Sequence, residues 1–308
     1  MKRHGFWSLI MCNICALILF AMSNLLEAHE SILSETQTVL RQDAEDKVAL
    51  PGSFRRVEWL RASGSAQFSE KELLEVKKNI SEVKVVLVDL RQESHGFING
   101  LPISWYGEKN WANAGKSVEE VLQLEQKELS ELAAAQQAIV YSKLKKDKSS
   151  GGLVSAVSMA VPIEVVSSEE QIARQNEMGY FRLAITDHCR PDDESVERFI
   201  EFVRVLPPDS WLHMHCEAGH GRTTTFLTMY DMMKNAKKDS CAAIITRQRD
   251  IGGIDLLASG EDRGWRMEKD QERKRFIKRF YQYCQANDDQ YSLKWTIWNQ
   301  THPIPIDE

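Results

Sequence analysis

The chain has 308 residues, with 39 Lys and Arg against 45 Asp and Glu, for a formal net charge of −6. An acidic balance with no basic block argues against general nucleic-acid binding. Six cysteines without regular spacing argue against a disulfide framework, and the length suits one enlarged domain with a sizeable core.

Lys2, Arg3 and His4 form a basic start, and an apolar run follows from Phe6 to Met22. Ala21 and Ser23 stand at the two positions a signal peptidase reads, so residues 1–23 are read as a signal peptide for periplasmic or secretory export. Cleavage is placed after Ser23, with Ala28 as the second position. Membrane anchoring by the same segment is the alternative, but the run is shorter than the roughly 20 residues that span a bilayer, and Asn13 interrupts it. Cleavage leaves 37 basic against 45 acidic residues, a net charge near −8, so binding an anion requires a focused local field. It also leaves Cys189, Cys216, Cys241 and Cys284.

Residues 24–50 are a polar extension, mobile from Ser31 to Lys47, ahead of one domain over 51–308. Ser69 to Ile80 is a predicted helix, opened by a Ser69–Glu72 capping box. Val83 to Leu90 is a β-branched run and a predicted buried strand. Ser117 to Lys146, rich in Glu, Lys and Ala, reads as one long helix or two. A break falls over Lys148 to Gly152. Leu153 to Val166, with small and β-branched residues and Pro162, then supplies strands of a subsidiary β unit. Tyr180 to Ile185 is strand-like, and Asp192 to Val205 is helical with Val196, Phe199, Ile200 and Val203 on one face. Thr224 to Lys234, Asp239 to Arg249 and Asp270 to Ala286 are further helices. Strands alternating with helices indicate a layered α/β domain.

The most informative stretch is His215-Cys216-Glu217-Ala218-Gly219-His220-Gly221-Arg222-Thr223, between the apolar Trp211 to Met214 and a helix. Strand, tight loop and helix N-terminus make a phosphate cradle. A cysteine at its start is a nucleophile, because backbone N–H groups, the helix terminus and an arginine all favour the thiolate. Gly219 and Gly221 let the amides turn inward. Arg222 holds two phosphate oxygens with its planar fork, and the Thr223 hydroxyl donates to the sulfur. His220 stands at the rim, either adding positive charge when protonated or remaining neutral. A zinc site from His213, His215, Cys216, His220, His188 and Cys189 fits none of the usual ligand spacings. Alternation along the strand puts His213 and His215 on one face and Cys216 on the other. A phosphocysteine route also requires a general acid. Asp187 ends the Tyr180–Ile185 run at a sheet mouth, where α/β sites collect, while Asp192 is available to cap the next helix.

With Thr186-Asp187-His188 and Asp89-Leu90-Arg91-Gln92-Glu93-Ser94-His95-Gly96, the loop resembles the bacterial cysteine phytases. Asn99-Gly100, Trp111-Ala112-Asn113, Arg247-Gln248 and Ile251-Gly252-Gly253 extend the resemblance. It covers the chain from about Leu60 onward. It implies a protein-tyrosine-phosphatase-like fold, with a central mostly parallel sheet flanked by helices and a small partial β-barrel built from Leu153 to Val166 and the region near Val57 to Leu60. It implies Cys216 as nucleophile, Arg222 as phosphate binder, Asp187 as acid, and stepwise, metal-independent phosphate release from the small-molecule substrate phytate, with no cofactor. Glu217 and Ala218 are characteristic of this family. The substrate-binding set is then Glu217, Ala218, Gly219, His220, Gly221, His188 and Arg91. Arg91 is expected on the rim, against a second phosphate, and Glu93 is expected to hold loop geometry. Where the family carries a basic cluster after the I-G-G segment, residues 261–269 mix both signs.

Overall fold

A computed structural model describes residues 29–34, 37–80, 84–258, 264–288 and 290–302. The proposed export signal lies outside them. The strands are β1 (His29–Ile32), β2 (Val39–Gln42), β3 (Arg55–Val57), β4 (Ala62–Ser65), β5 (Lys84–Arg91), β6 (His95–Ile98), β7 (Leu101–Tyr106), β8 (Gln137–Lys146), β9 (Leu153–Pro162), β10 (Val166–Ser167), β11 (Gly179–Ile185) and β12 (Ser210–His215). The helices are α1 (Glu70–Ile80), α2 (Val118–Ala133), α3 (Glu169–Gln175), α4 (Asp193–Val205), α5 (Gly221–Asn235), α6 (Cys241–Asp250), α7 (Arg266–Ala286) and α8 (Trp295–Thr301).

The central sheet has the order β11-β5-β12-β4-β3, with β11, β5, β12 and β4 parallel and β3 antiparallel at the edge. Side chains alternate across it. Val85, Leu87 and Trp211 pack with Phe68, Leu73 and Val76 near α1 and with Ile172 of α3. Val88, Leu90, Leu212 and Met214 face the other way, onto Phe199 of α4, Phe226 of α5 and Phe280 of α7. This is the expected sheet between helix layers. Helix α5 is buried continuously from Arg222 to Met233, as befits a helix running through the core. Ser69 and Glu72 form the expected reciprocal cap, Ser117 and Glu120 form another, and Asp192 caps α4.

The second sheet has seven strands in the order β1-β9-β8-β2-β7-β6-β10, mostly antiparallel. Its β6–β7 hairpin turns at Asn99 and Gly100, both with positive φ (51° and 81°), the backbone a two-residue hairpin needs. Three segments depart from the sequence reading. The described residues of 31–47 are not a mobile extension, because β1 pairs with β9 and β2 pairs with β7 and β8. Their polar composition conceals β2, since its end is buried through ion pairs rather than apolar side chains. The helix expected to Lys146 ends at Ala133, and Gln137–Lys146 is β8. There Ala138 and Val140 are buried while Ile139 is exposed, and pairing with β9 overrides helix propensity. The region near Val57 to Leu60 does not join the second sheet: Val57 ends β3 of the central sheet and Glu58–Leu60 form a 3-10 turn.

Candidate active site

Cys216 follows the last residue of β12, and α5 begins five residues later at Gly221, so the loop closes between the sheet's C-terminal end and a helix N-terminus. The outer side of the loop is tied down. The Glu217 carbonyl accepts from the Gln67 amide at 3.0 Å, Ala218 from the Ser53 hydroxyl at 3.1 Å, and Gly219 from Arg55 Nη1 at 2.9 Å. A trans peptide is planar, so each fixed carbonyl turns the next residue's N–H the opposite way. The amides of 218, 219 and 220 are thereby held away from β3 and β4, on the side of the cavity. Gly219 has φ +73°, and a Cβ there would lie 2.5 Å from the Ala66 nitrogen, so only glycine fits.

Cys216 is buried, and the Thr223 hydroxyl donates to its Sγ at 3.2 Å. Arg222 is clasped by Glu93, with Nη1 to Oε2 at 2.7 Å and Nη2 to Oε1 at 3.0 Å. Its Nε, buried, has no acceptor among the described residues, and neither has Arg273 Nε. Orphaned buried donors beside a nucleophile fit an anionic ligand. Asp187 Oδ1 stands 3.2 Å from Arg222 Nη2. The Asn110 amide bridges Glu93 Oε1 and Asp187 Oδ2, each at 3.0 Å, and Trp111 Nε1 donates to the Asp187 carbonyl. Burial pushes the Asp187 carboxyl up, but the Arg222 guanidinium, with smaller contributions from His188 and the Asn110 hydrogen bond, holds the group below its ordinary range. Burial likewise opposes ionisation of Glu93, yet Arg222 and Arg91 keep it well below the usual carboxylate range.

The cavity over Cys216 is about 540 Å³ and is bordered by Asp187, Lys146, His188, Arg266 and Arg273. A second cavity of about 480 Å³ shares Lys146, His188 and Arg266 with it and adds Lys109 and Lys148. Lys146 Nζ lies 4.2 Å from the centre of the Tyr106 ring, and Arg41 Cζ lies 4.7 Å from it. Desolvation of its ammonium in the cleft, with Arg41 adding repulsion, lowers Lys146 to about 8, although the residue as a whole is exposed. Burial lowers His188 to about 4, so its ring is a neutral wall at pH 7, edge-on to Trp265.

Cys216, Glu217, Ala218, His220, Gly221, Asp187 and His188 all border the cavity over Cys216. Arg222 and Thr223 reach Asp187 and Cys216 from just behind it. Arg91 is the correction. Its side chain is fully buried and pairs with Asp43 at 2.8 Å and Glu93 at 2.9 Å, so it supports the site from behind and does not reach the rim. Glu217 turns its carboxylate to Arg41 at 3.3 Å. Glu93, expected to hold loop geometry, does so through Arg222. His213 is an internal sheet residue between Ser63 and Ser65, and burial lowers it to about 3. The four cysteines among the described residues are unpaired. Sequence reading missed Arg41, Arg55, Asn110 and Lys146. Lys146 was hidden in an assumed helix, and Asn110 lies next to the quoted Trp111-Ala112-Asn113.

A parallel sheet ending in a cysteine loop, with five residues between Cys216 and Arg222 and an aspartate opposite, defines the protein-tyrosine-phosphatase class of fold and site. The PTP-like phytase family model, described as "Inositol hexakisphosphate", matches residues 88–234. The PTP-like phytase of Bdellovibrio bacteriovorus is 37% identical, with a TM-score of 0.72 over 87% of this chain and 97% of that one. The PTP-like myo-inositol phosphatase of Mitsuokella multacida, solved with myo-inositol-(1,3,4,5)-tetrakisphosphate, is 33% identical, with a TM-score of 0.81 over 88% of this chain and 49% of that one. Effector protein hopD2 of Pseudomonas syringae pathovar tomato is 30% identical over 243 residues, 78% of this chain and 51% of its own. This chain belongs to the PTP-like phytase family. It spans about half the length of hopD2 and of the Mitsuokella chain.

Proposed function

We propose that this chain is a phosphomonoester hydrolase that removes phosphates stepwise from phytate through a phosphocysteine intermediate, without a metal. The observation that carries the reading is a Cys216–Thr223–Arg222–Asp187 set beneath a cavity walled by Lys146, Arg266 and Arg273. Asp255 and Asp270 also line this cavity, but the adjoining one gathers Lys109, Lys146, Lys148 and Arg266 against Asp147, and that cation cluster suits a compact polyanion, whereas phosphotyrosine calls for a narrow aromatic slot. Family membership supports the substrate class.

In this reading Cys216 Sγ attacks phosphorus, the S–P bond forms as the ester P–O bond breaks, and Asp187 gives its proton to the leaving oxygen. The loop amides and Arg222 hold the non-bridging oxygens. Water then attacks the phosphocysteine while ionised Asp187 takes its proton. The thiolate departs, stabilised by the Thr223 hydroxyl, and both groups return to their starting state. Lys146, Arg266, Lys109 and Lys148 receive non-scissile phosphates. Protein groups fill every charge-stabilising role. We further propose export, on the basic start and apolar run of residues 1–23. N-terminal sequencing of chain recovered outside the cytoplasm tests it, and an intact N-terminus there points to another route.

The test of activity is phosphate release from phytate, a phosphotyrosine peptide and a phosphoinositide, with and without EDTA. Hydrolysis of phytate unaffected by EDTA is expected. Hydrolysis of the peptide alone overturns the substrate reading, and loss restored by one added metal overturns metal independence.

A further inference from the structure

The two ends of the cysteine loop are joined behind the site by a chain of alternating charge. Arg222 is held by Glu93 (2.7 Å), Glu93 by Arg91 (2.9 Å), Arg91 by Asp43 (2.8 Å), Asp43 by Arg41 (2.7 Å) and Arg41 by Glu217 (3.3 Å). Three cations and three anions make it neutral. The side chains of Glu93, Arg91 and Asp43 are fully inaccessible, and Arg41 is nearly so. It begins and ends in the loop, at Arg222 and Glu217. Between them it passes from the end of β5, in the central sheet, to the end of β2, in the second sheet.

Such a chain resists displacement, because moving one member leaves its neighbour an uncompensated buried charge. Asp43 is the link between the two sheets. It accepts from Arg41 Nε, from Arg91 Nη1 and from the Ser104 hydroxyl, and it borders neither cavity. We infer that Asp43 is a positioning residue for Arg222, acting through Arg91 and Glu93, so that β2 of the second sheet is part of the catalytic machinery. The inference rests on the phosphatase reading above and extends it to a residue outside the region matched by the family model.

The test uses the full chain and p-nitrophenyl phosphate, whose hydrolysis does not depend on the inositol wall. Asp43→Asn and Glu93→Gln should each lower kcat by about 10- to 100-fold, the scale of an ångström-level misplacement, with KM changed by less. Because both act through Arg222, the double variant should lose no more than the worse single variant. A folded Asp43→Asn protein with wild-type kcat, or losses that multiply, overturns the inference. If Asp43→Asn fails to fold, Ser104→Ala removes only the hydroxyl joining Asp43 and Arg41. A several-fold fall in kcat at wild-type Tm supports the inference, and unchanged kcat overturns it. If wild type hydrolyses no phosphomonoester, the functional reading fails separately. Calorimetry of inorganic phosphate binding then decides the positioning role: weaker binding to Asp43→Asn than to wild type supports it, and equal binding overturns it.

Discussion

Asp187 Oδ1 lies 3.2 Å from Arg222 Nη2, so the proposed proton donor and the proposed phosphate binder are an ion pair in the free site. Burial raises the carboxyl, and Arg222 together with the other neighbours of the group leaves the net shift downward. A bound phosphate dianion engages Arg222 and adds its own negative charge, and both effects push Asp187 back up. The alkaline limb of kcat should therefore lie at higher pH than that of kcat/KM, and both limbs should vanish in Asp187→Asn. Coincident limbs that survive the substitution would contradict this. The pair's stabilising effect on the fold is present above the unfolded carboxylate pKa and is lost as pH falls through the lower folded value.

The same residue makes a prediction about leaving groups. Asp187→Asn should lower kcat on phytate by about 10²- to 10⁴-fold, because an alkoxide needs a proton to depart. p-Nitrophenyl phosphate, whose leaving group is already stable as an anion, should be affected far less. Steady-state rates on the two substrates check this, and equal losses would assign Asp187 a structural role.

His95 makes a stability prediction. Burial would lower its pKa, but the surrounding carboxylates, Asp89 at 3.2 Å from Nε2 first and Glu125 with it, together raise it from 6.5 to about 10. A group raised on folding contributes stability that is complete below the unfolded pKa and is lost as pH rises through the folded one. The Tm difference between wild type and His95→Gln should thus be largest below pH 6.5 and shrink toward pH 10. Thermal unfolding across that range measures it, and a constant gap would mean that the imidazolium charge is not what stabilises.

The loop, the position of Asp187 and the central sheet were legible in the sequence because each has a local cause. Gly219 marks the turn, β-branched residues mark β5, and Asp192 frees Asp187 from capping. The supports were not legible, because their causes are tertiary. Arg41 and Asp43 look like solvated charges until β2 pairs with β7 and buries them. Arg91 stands at the end of β5, where a rim role is the natural reading, but alternation turns it into the protein. Lys146 was concealed by Lys- and Ala-rich flanks that favour helix in isolation, yet pair with β9 here.

Gly219 tests how tightly the loop is determined. At φ +73°, with the Ala66 nitrogen 2.5 Å from the position an added methyl would take, Gly219→Ala must shift the loop against β4. The variant should lose more than about 1 kcal/mol of stability and most of its turnover. Denaturant unfolding and rates together check this, and wild-type values in both would mean that the loop relaxes freely.

The most direct test of the central claim is phosphate release from phytate by wild type and by Cys216→Ser at matched concentrations. The predicted result is stepwise release by wild type and none above background by Cys216→Ser, which still binds inositol phosphate. Release by the serine variant at a rate near wild type would contradict the phosphocysteine route.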